Sequence, residues 1–284
     1  MRSSETALDA DWLGACRAAV GDLREILRAA PATRERAIET GVRGEGGDRT
    51  LVIDQAAEDA VFARLDALHA AGHRFTAVSE ERGVADYGDA AVRVVIDPID
   101  GSLNAKRLMP ACALSIAVAD GPTMADVRFG YVFDFGTGEE WSATDGGGAR
   151  LDGVVLDPAL PERRGRSGRL ELLGIEQADP LNLTPATVDG LRRETERLRV
   201  TGAMALTICQ VAAARLDAMA SLRRCRAVDA AAAQLIVREA GGCVAFPAIA
   251  GDDPLAAPLD VEPHSPIVCA RSPETLRALA HVVG

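Results

Sequence analysis

The sequence predicts an α/β protein built in two parts, and three observations carry that prediction. The first half is rich in strand signals: apolar runs at 94–96, 114–119, 127–133 and 140–143, with turns such as Asp145-Gly146-Gly147-Gly148 and Asp152-Gly153 beside them. The second half alternates helical patterns with short apolar runs, the mark of layered helices and sheet. Hydrophobic residues make up 48% of the 284-residue chain but aromatics only 4%, so a sizeable core must be built from Ala, Val, Leu and Ile. The expected division is an N-terminal α+β part over 1–155 and a C-terminal α/β part over 156–284, with a site between them.

Each element follows from local pattern. Over 9–30, Trp12, Leu13, Cys16, Ala19, Val20, Leu23, Ile26 and Leu27 recur at helical spacing, and Pro31 ends the helix. Glycines among charges over 41–49 read as a connector loop, or as a flap that brings Arg43 over a phosphate. Residues 50–54 lead into a second helix with Asp54 as its expected cap, Glu58 near its first turn, and an apolar face of Ala57, Val61, Leu65 and Leu68. A strand at 75–79 ends in Glu80-Glu81, a pair that ordinarily faces solvent, or that a neighbouring strand brings beside Asp97 and Asp100. Further on, a strand starts within 169–175. Residues 184–198 read as a helix capped by Thr184 with Pro185 in its first position. Helices follow at 206–214 and 230–240; Gly241-Gly242 closes the second, and a strand occupies 243–246. Residues 251–264, rich in Pro and Asp, read as a loop.

The centre of the chain is Val94-Val95-Ile96-Asp97-Pro98-Ile99-Asp100-Gly101-Ser102. A β-branched run enters two acids three residues apart, and Pro98 biases Asp97 toward an extended conformation. Two carboxylates held that close repel unless a cation lies between them. A hard divalent cation wants such oxygen ligands, and the Ile99 carbonyl adds another. Gly101 and Ser102 then offer N–H groups to an anion, and metal plus anion pocket is what phosphoryl chemistry needs. The stretch fits equally well a turn whose Asp side chains cap backbone groups.

Composition excludes other classes. With 31 basic and 42 acidic residues the net charge is −11, which argues against general nucleic-acid or anionic-membrane binding. It leaves room for a small anionic substrate, because a bound metal reverses the local field. The six cysteines are scattered without a CxxC, and no apolar run reaches membrane-spanning length, so a cytoplasmic protein with free thiols is expected. His69, His73, His264 and His281 lie near no other motif, which argues against a hydrolase with a histidine base.

Four motifs in order then carry a resemblance. They are Asp54-x-x-x-Glu58; Ser79-Glu80-Glu81-x-Gly83; Asp97-Pro98-Ile99-Asp100-Gly101-Ser102-x-Asn104; and Asp229-Ala230-Ala231-Ala232 followed by Glu239-Ala240-Gly241-Gly242. Together they span nearly the whole chain, which resembles the inositol monophosphatase family of Mg²⁺-dependent, lithium-sensitive phosphatases. The resemblance implies an α-β-α-β-α layered sandwich, with an antiparallel sheet in the N-terminal half and a mixed sheet in the C-terminal half. It implies two or three Mg²⁺ ions, with Mn²⁺ as a substitute. One would be held by Glu80, Asp97 and the Ile99 carbonyl, another by Asp97, Asp100 and Asp229. Gly101 and Ser102 would bind the phosphate, while Asp54, Glu80 and the Ser102 hydroxyl orient the attacking water. Arg43 falls where many relatives carry a flap lysine. Gly202, Ala203 and Met204 fall on the family's substrate-binding segment. A homodimer is the usual state.

Departures narrow the substrate. Val228 replaces a frequent Trp, and Ala203 replaces Ser or Thr. Residues 218–228 hold no carboxylate for inositol hydroxyls but carry Arg223, Arg224 and Arg226. This region resembles archaeal-type members, which often hydrolyse both inositol monophosphate and fructose 1,6-bisphosphate. A second phosphate suits an arginine, although these arginines also fit a solvated face. The expected substrate is a small sugar or polyol phosphate. Alternatives are 3′-phosphoadenosine 5′-phosphate, histidinol phosphate, or a catalytically silent relative that binds a phospholigand or a protein.

Overall fold

Asp11 opens the first helix by accepting a hydrogen bond from the Gly14 N–H at 2.9 Å, and the apolar stripe predicted from the sequence becomes the buried face of α1 (Trp12–Ala29). The computed structural model describes residues 7–43 and 49–284, apart from the side chains of 42, 43, 49 and 50. After α1 come α2 (Thr33–Arg36), β1 (Glu39–Arg43) and β2 (Arg49–Leu51), and β1 and β2 pair antiparallel. The 41–49 segment is therefore partly strand, with 44–48 outside the described residues. In α3 (Val52–Ala70) the cap is Leu51, not Asp54. Asp54 lies one turn inside, and its Oδ2 accepts from the Leu51 N–H at 3.4 Å.

A large sheet follows: β3 (Thr76–Ser79), β4 (Gly83–Asp86), β5 (Arg93–Asp100), then the short helix α4 (Ser102–Lys106), then β6 (Ala113–Ala119), β7 (Val127–Asp134), β8 (Glu140–Thr144), β9 (Gly148–Leu151) and β10 (Val154–Val155). Strand order is β10-β9-β8-β7-β6-β5-β3-β4, antiparallel throughout except for the parallel β3·β5 pair.

The remainder gives β11 (Leu173–Glu176), α5 (Pro185–Glu194), β12 (Leu198–Arg199), α6 (Met204–Ala212), β13 (Ala218–Ser221), α7 (Ala227–Glu239), β14 (Cys243–Ala245), β15 (Val268–Ala270) and α8 (Pro273–Val283). Five strands form a mixed sheet in the order β12-β11-β13-β15-β14. The helix expected to Leu198 stops at Glu194. Thr195 turns extended and its hydroxyl donates to the Leu170 and Arg197 carbonyls, which frees β12 to pair with β11.

Two-residue alternation along β5 sorts the cores. Val94 and Ile96 pack with Leu23, Val61 and Phe62 of α1 and α3, whereas Val95 faces Leu206 of α6 and Leu235 of α7. Fully burying one such side chain contributes about 2 kcal/mol. Beyond α6 and α7, the small sheet packs Leu173, Ile175 and Val268 against Leu191 of α5 and Leu279 of α8. The layers thus run α-β-α-β-α. Residue 155 ends the last strand of the large sheet, but the middle core draws on residues from both sides of it.

Gly130 marks how closely the middle layer sits. A Cβ there would fall 2.5 Å from the Ala232 carbonyl oxygen, so β7 admits the α7 backbone only because the position is glycine. That approach fixes α7, and with it Asp229, against the large sheet. Among the described residues no helix is long and apolar enough to cross a membrane. The six cysteines are free thiols, five of them buried.

Candidate active site

Strand β5 delivers two acids because its ladder fails where Pro98 has no N–H to give. Its pairing with β6 shifts between Asp97 and Asp100, a bulge that turns both carboxylates to one end of the sheet. Asp97 Oδ1 accepts from the Ile99 N–H at 2.9 Å, so the capping reading of this stretch also holds for one oxygen. Gly101 follows with φ +82°, and a Cβ there would lie 2.8 Å from the Ala111 carbonyl oxygen. Only glycine turns the chain this way into α4.

A third acid comes from the other half of the chain. Asp229 stands in the first turn of α7, accepting from the Arg226 N–H at 3.3 Å. Oxygens of Asp97, Asp100 and Asp229 all lie within 4.8 Å of one another, and all three residues are buried. Glu80 follows β3, the parallel neighbour of β5, which places it beside Asp97. Burial is the main cause that raises all four carboxyls above their ordinary range, with repulsion from neighbouring acids adding to it at Glu80, Asp97 and Asp100. Glu80 is pushed up to about 7, and Asp97 and Asp100 are raised well above ordinary carboxylates. Arg226 offsets part of this charge, with Nη1 2.7 Å from Glu80 and Nη2 3.6 Å from Asp229.

Beside the acids lies a cavity of about 330 Å³ lined by Asp54, Glu80, Asp97, Ile99 and Ser102 among others. Burial pushes Asp54 up to about 6, and its Oδ1 is buried without a hydrogen-bond partner among the described residues. Glu58 does not reach the cavity lining. It is buried one turn along α3, accepting from the Ser79 hydroxyl and from the Arg82 N–H at 3.3 Å, and so ties α3 to the end of β3. None of the four histidines lines the cavity.

The structure brings together Asp54, Glu80, Asp97, Ile99, Asp100, Ser102, Arg226 and Asp229. Gly101 comes with Asp100 and Ser102 at the end of β5, whereas Gly202, Met204, Arg223 and Arg224 are engaged with other groups. The Met204 N–H is spent on Asp100 Oδ1 at 3.0 Å, with Ala205 N–H on Oδ2 at 2.8 Å. The Gly202 N–H is spent on Glu176, and Ala203 is buried with its carbonyl bonded to the Thr207 N–H. The Gly202 and Met204 N–H groups thus hold the acids in place. Arg223 and Arg224 line a different cavity beside Pro263 and Pro266, and Arg223 pairs with Asp179 at 3.4 Å. The arginine cluster divides because Arg223 and Arg224 precede the α7 cap position that Arg226 occupies. The side chain of Arg43 lies outside the described residues.

Two residues at or next to this site escaped the sequence reading. Glu176 ends β11 and is buried, accepting from the Thr201 and Gly202 N–H groups and from the Thr207 hydroxyl. Its signal was available: an acid directly after an apolar run, as at Glu80. Lys106, at the end of α4, also lines the acidic cavity.

Clustered buried carboxylates with raised pKa values fit a hard divalent cation, which removes the repulsion and matches their oxygen donors. Comparisons with known proteins agree with that chemistry. The profile of the inositol monophosphatase family matches residues 11–283. The chain is 34% identical over 212 residues to the fructose-1,6-bisphosphatase/inositol-1-monophosphatase of Methanothermobacter thermautotrophicus, covering 71% of this chain and 72% of that one. It is 34% identical over 211 residues to the Nus factor SuhB of Escherichia coli (strain K12), covering 73% and 75%. Its fold matches a crystal structure of an inositol monophosphatase-fructose 1,6 bisphosphatase with a TM-score of 0.76 at 26% identity, over 96% of this chain and 100% of that one.

Proposed function

The chain belongs to the inositol monophosphatase family and is a phosphatase, and from that premise we propose that it hydrolyses small sugar or polyol phosphates with Mg²⁺. Inositol 1-phosphate and fructose 1,6-bisphosphate are the substrates we expect first, as the names of its archaeal relatives suggest. The carrying observation is the buried group of Asp97, Asp100 and Asp229, with Glu80 beside it. These carboxylates and the Ile99 carbonyl would hold two ions or three, with Mn²⁺ as a substitute. Bound there, the cation supplies charge neutralisation and Lewis acidity for phosphoryl transfer.

The chain's own residues supply the rest. Gly101 and Ser102 would present N–H groups and a hydroxyl to the phosphate. Asp54, with a free buried oxygen and a raised pKa, would accept a hydrogen bond from the attacking water, and Glu80 and the Ser102 hydroxyl would fix its direction. Arg226, within reach of Glu80 and Asp229, would add positive charge at the rim of the acids. A cytoplasmic homodimer is the form we propose, on family grounds.

Phosphate release tests this, run with Mg²⁺ and with EDTA on inositol 1-phosphate, fructose 1,6-bisphosphate, 3′-phosphoadenosine 5′-phosphate and histidinol phosphate. Mg²⁺-dependent release from the first two supports the reading. Release from only one of the others keeps the chemistry and overturns the substrate. The relatives named Nus factor SuhB favour a second reading, a role in binding another protein. Silence on all four substrates from a folded chain would shift weight to it.

A further inference from the structure

We propose that Lys106 binds the anionic group of the substrate inside the acid-lined cavity, a role that rests on the phosphatase reading above and adds a residue to it. Lys106 is the single lysine of a chain with 31 basic residues. It closes α4 one helical turn after Ser102, so the two side chains stand on the same face of the helix. Both line the cavity of about 330 Å³. The other charged residues lining it are Glu39, Asp54, Glu80, Glu81 and Asp97, all acids, which leaves Lys106 as the one cation of that lining among the described residues.

Its charge acts inside the cavity: it opposes the burial that raises the Asp54 carboxyl. Yet Lys106 itself makes no hydrogen bond or ion pair among the described residues. Arg226, the nearby alternative, is already paired with Glu80 and Asp229. A half-buried ammonium with three unused donors, facing carboxylates that a divalent cation would neutralise, is a receptor for phosphate oxygens. As a compact charge on a flexible stem it follows the ligand without fixing one orientation. That suits a site able to take phosphate on differently shaped polyols.

Two measurements on the full chain with Mg²⁺ test this. The first is calorimetric titration with inorganic phosphate, beside steady-state kinetics, for wild type, Lys106→Met and Lys106→Arg. A lost charge-assisted contact should weaken phosphate binding and raise KM about tenfold or more in Lys106→Met. kcat should stay within about threefold, and Lys106→Arg should recover most of the binding, as expected for ground-state binding of charge. The second uses wild type alone, so it does not depend on how a variant folds. Acetic anhydride acylation of the single lysine, read by peptide mass spectrometry, should slow at least about fivefold when phosphate joins Mg²⁺, following the occupancy of the contact. Lys106→Met binding phosphate as wild type does, or acylation indifferent to phosphate, overturns the assignment while leaving the phosphatase reading intact. Wild type that binds no phosphate with Mg²⁺ removes that reading, and Lys106 with it.

Discussion

Asp100→Asn separates the two roles this carboxylate holds. Its oxygens accept from the Met204 and Ala205 N–H groups at 3.0 and 2.8 Å, which joins the end of β5 to the start of α6. It also sits within 4.8 Å of Asp97 and Asp229. An amide keeps one acceptor but turns an NH₂ toward the other N–H. The lost charge-assisted bond costs about 2 kcal/mol. Removing one charge from a repelling buried group returns a similar amount, so stability in EDTA should change by only about 1 kcal/mol. The metal response behaves differently. A cation at a hundred times its Kd stabilises the wild type by about 2.7 kcal/mol, or about 5 °C in a chain of this size. The variant should lose most of that shift. Turnover should fall at least about 10²-fold, a barrier increase of about 2.7 kcal/mol. Thermal melts with EDTA and with Mg²⁺, beside phosphate release, read both quantities. Near-normal turnover together with a full Mg²⁺ shift would refute the placement of a cation at Asp100.

Gly130→Ala should lower stability by about 2 kcal/mol in urea unfolding, because its Cβ meets the Ala232 carbonyl oxygen at 2.5 Å and α7 must move. Turnover should fall with it, since α7 carries Asp229; unchanged activity would mean the site tolerates that shift. The acids also predict a pH dependence. Burial raises Asp54 to about 6 and Glu80 to about 7, so between about 4.3 and those values the folded chain holds protons that the unfolded chain has released. Their contribution to stability is present below that window and lost as pH rises through it. The melting temperature in EDTA should therefore fall from pH 5 to pH 7.5 and recover with Mg²⁺. A rise over that range would contradict the burial of these carboxyls.

Much of the molecule was determined locally, and there the sequence suffices. Helical spacing from Trp12 to Leu27, β-branched runs closed by turn residues, and Pro98 between two acids each act over a few residues, through side-chain periodicity or fixed φ. Those signals marked α1, most of the large sheet and the acids Glu80, Asp97 and Asp100, whereas Asp229 was reached only through the resemblance of the four motifs. What depends on distant partners could not be read. Whether an N–H near 202–204 faces a ligand or a carboxylate is decided by where Asp100 and Glu176 arrive, from strands far away in sequence. Arg223, Arg224 and Arg226 look alike in the chain. The start of α7 turns only Arg226 toward the acids, while the other two face Pro263 and Pro266. Lys106 carries no motif and gains meaning only from the acids that surround it. Residue chemistry is written along the chain. Which groups share one low-dielectric space is settled by packing, and that space sets both the raised pKa values and the demand for a cation.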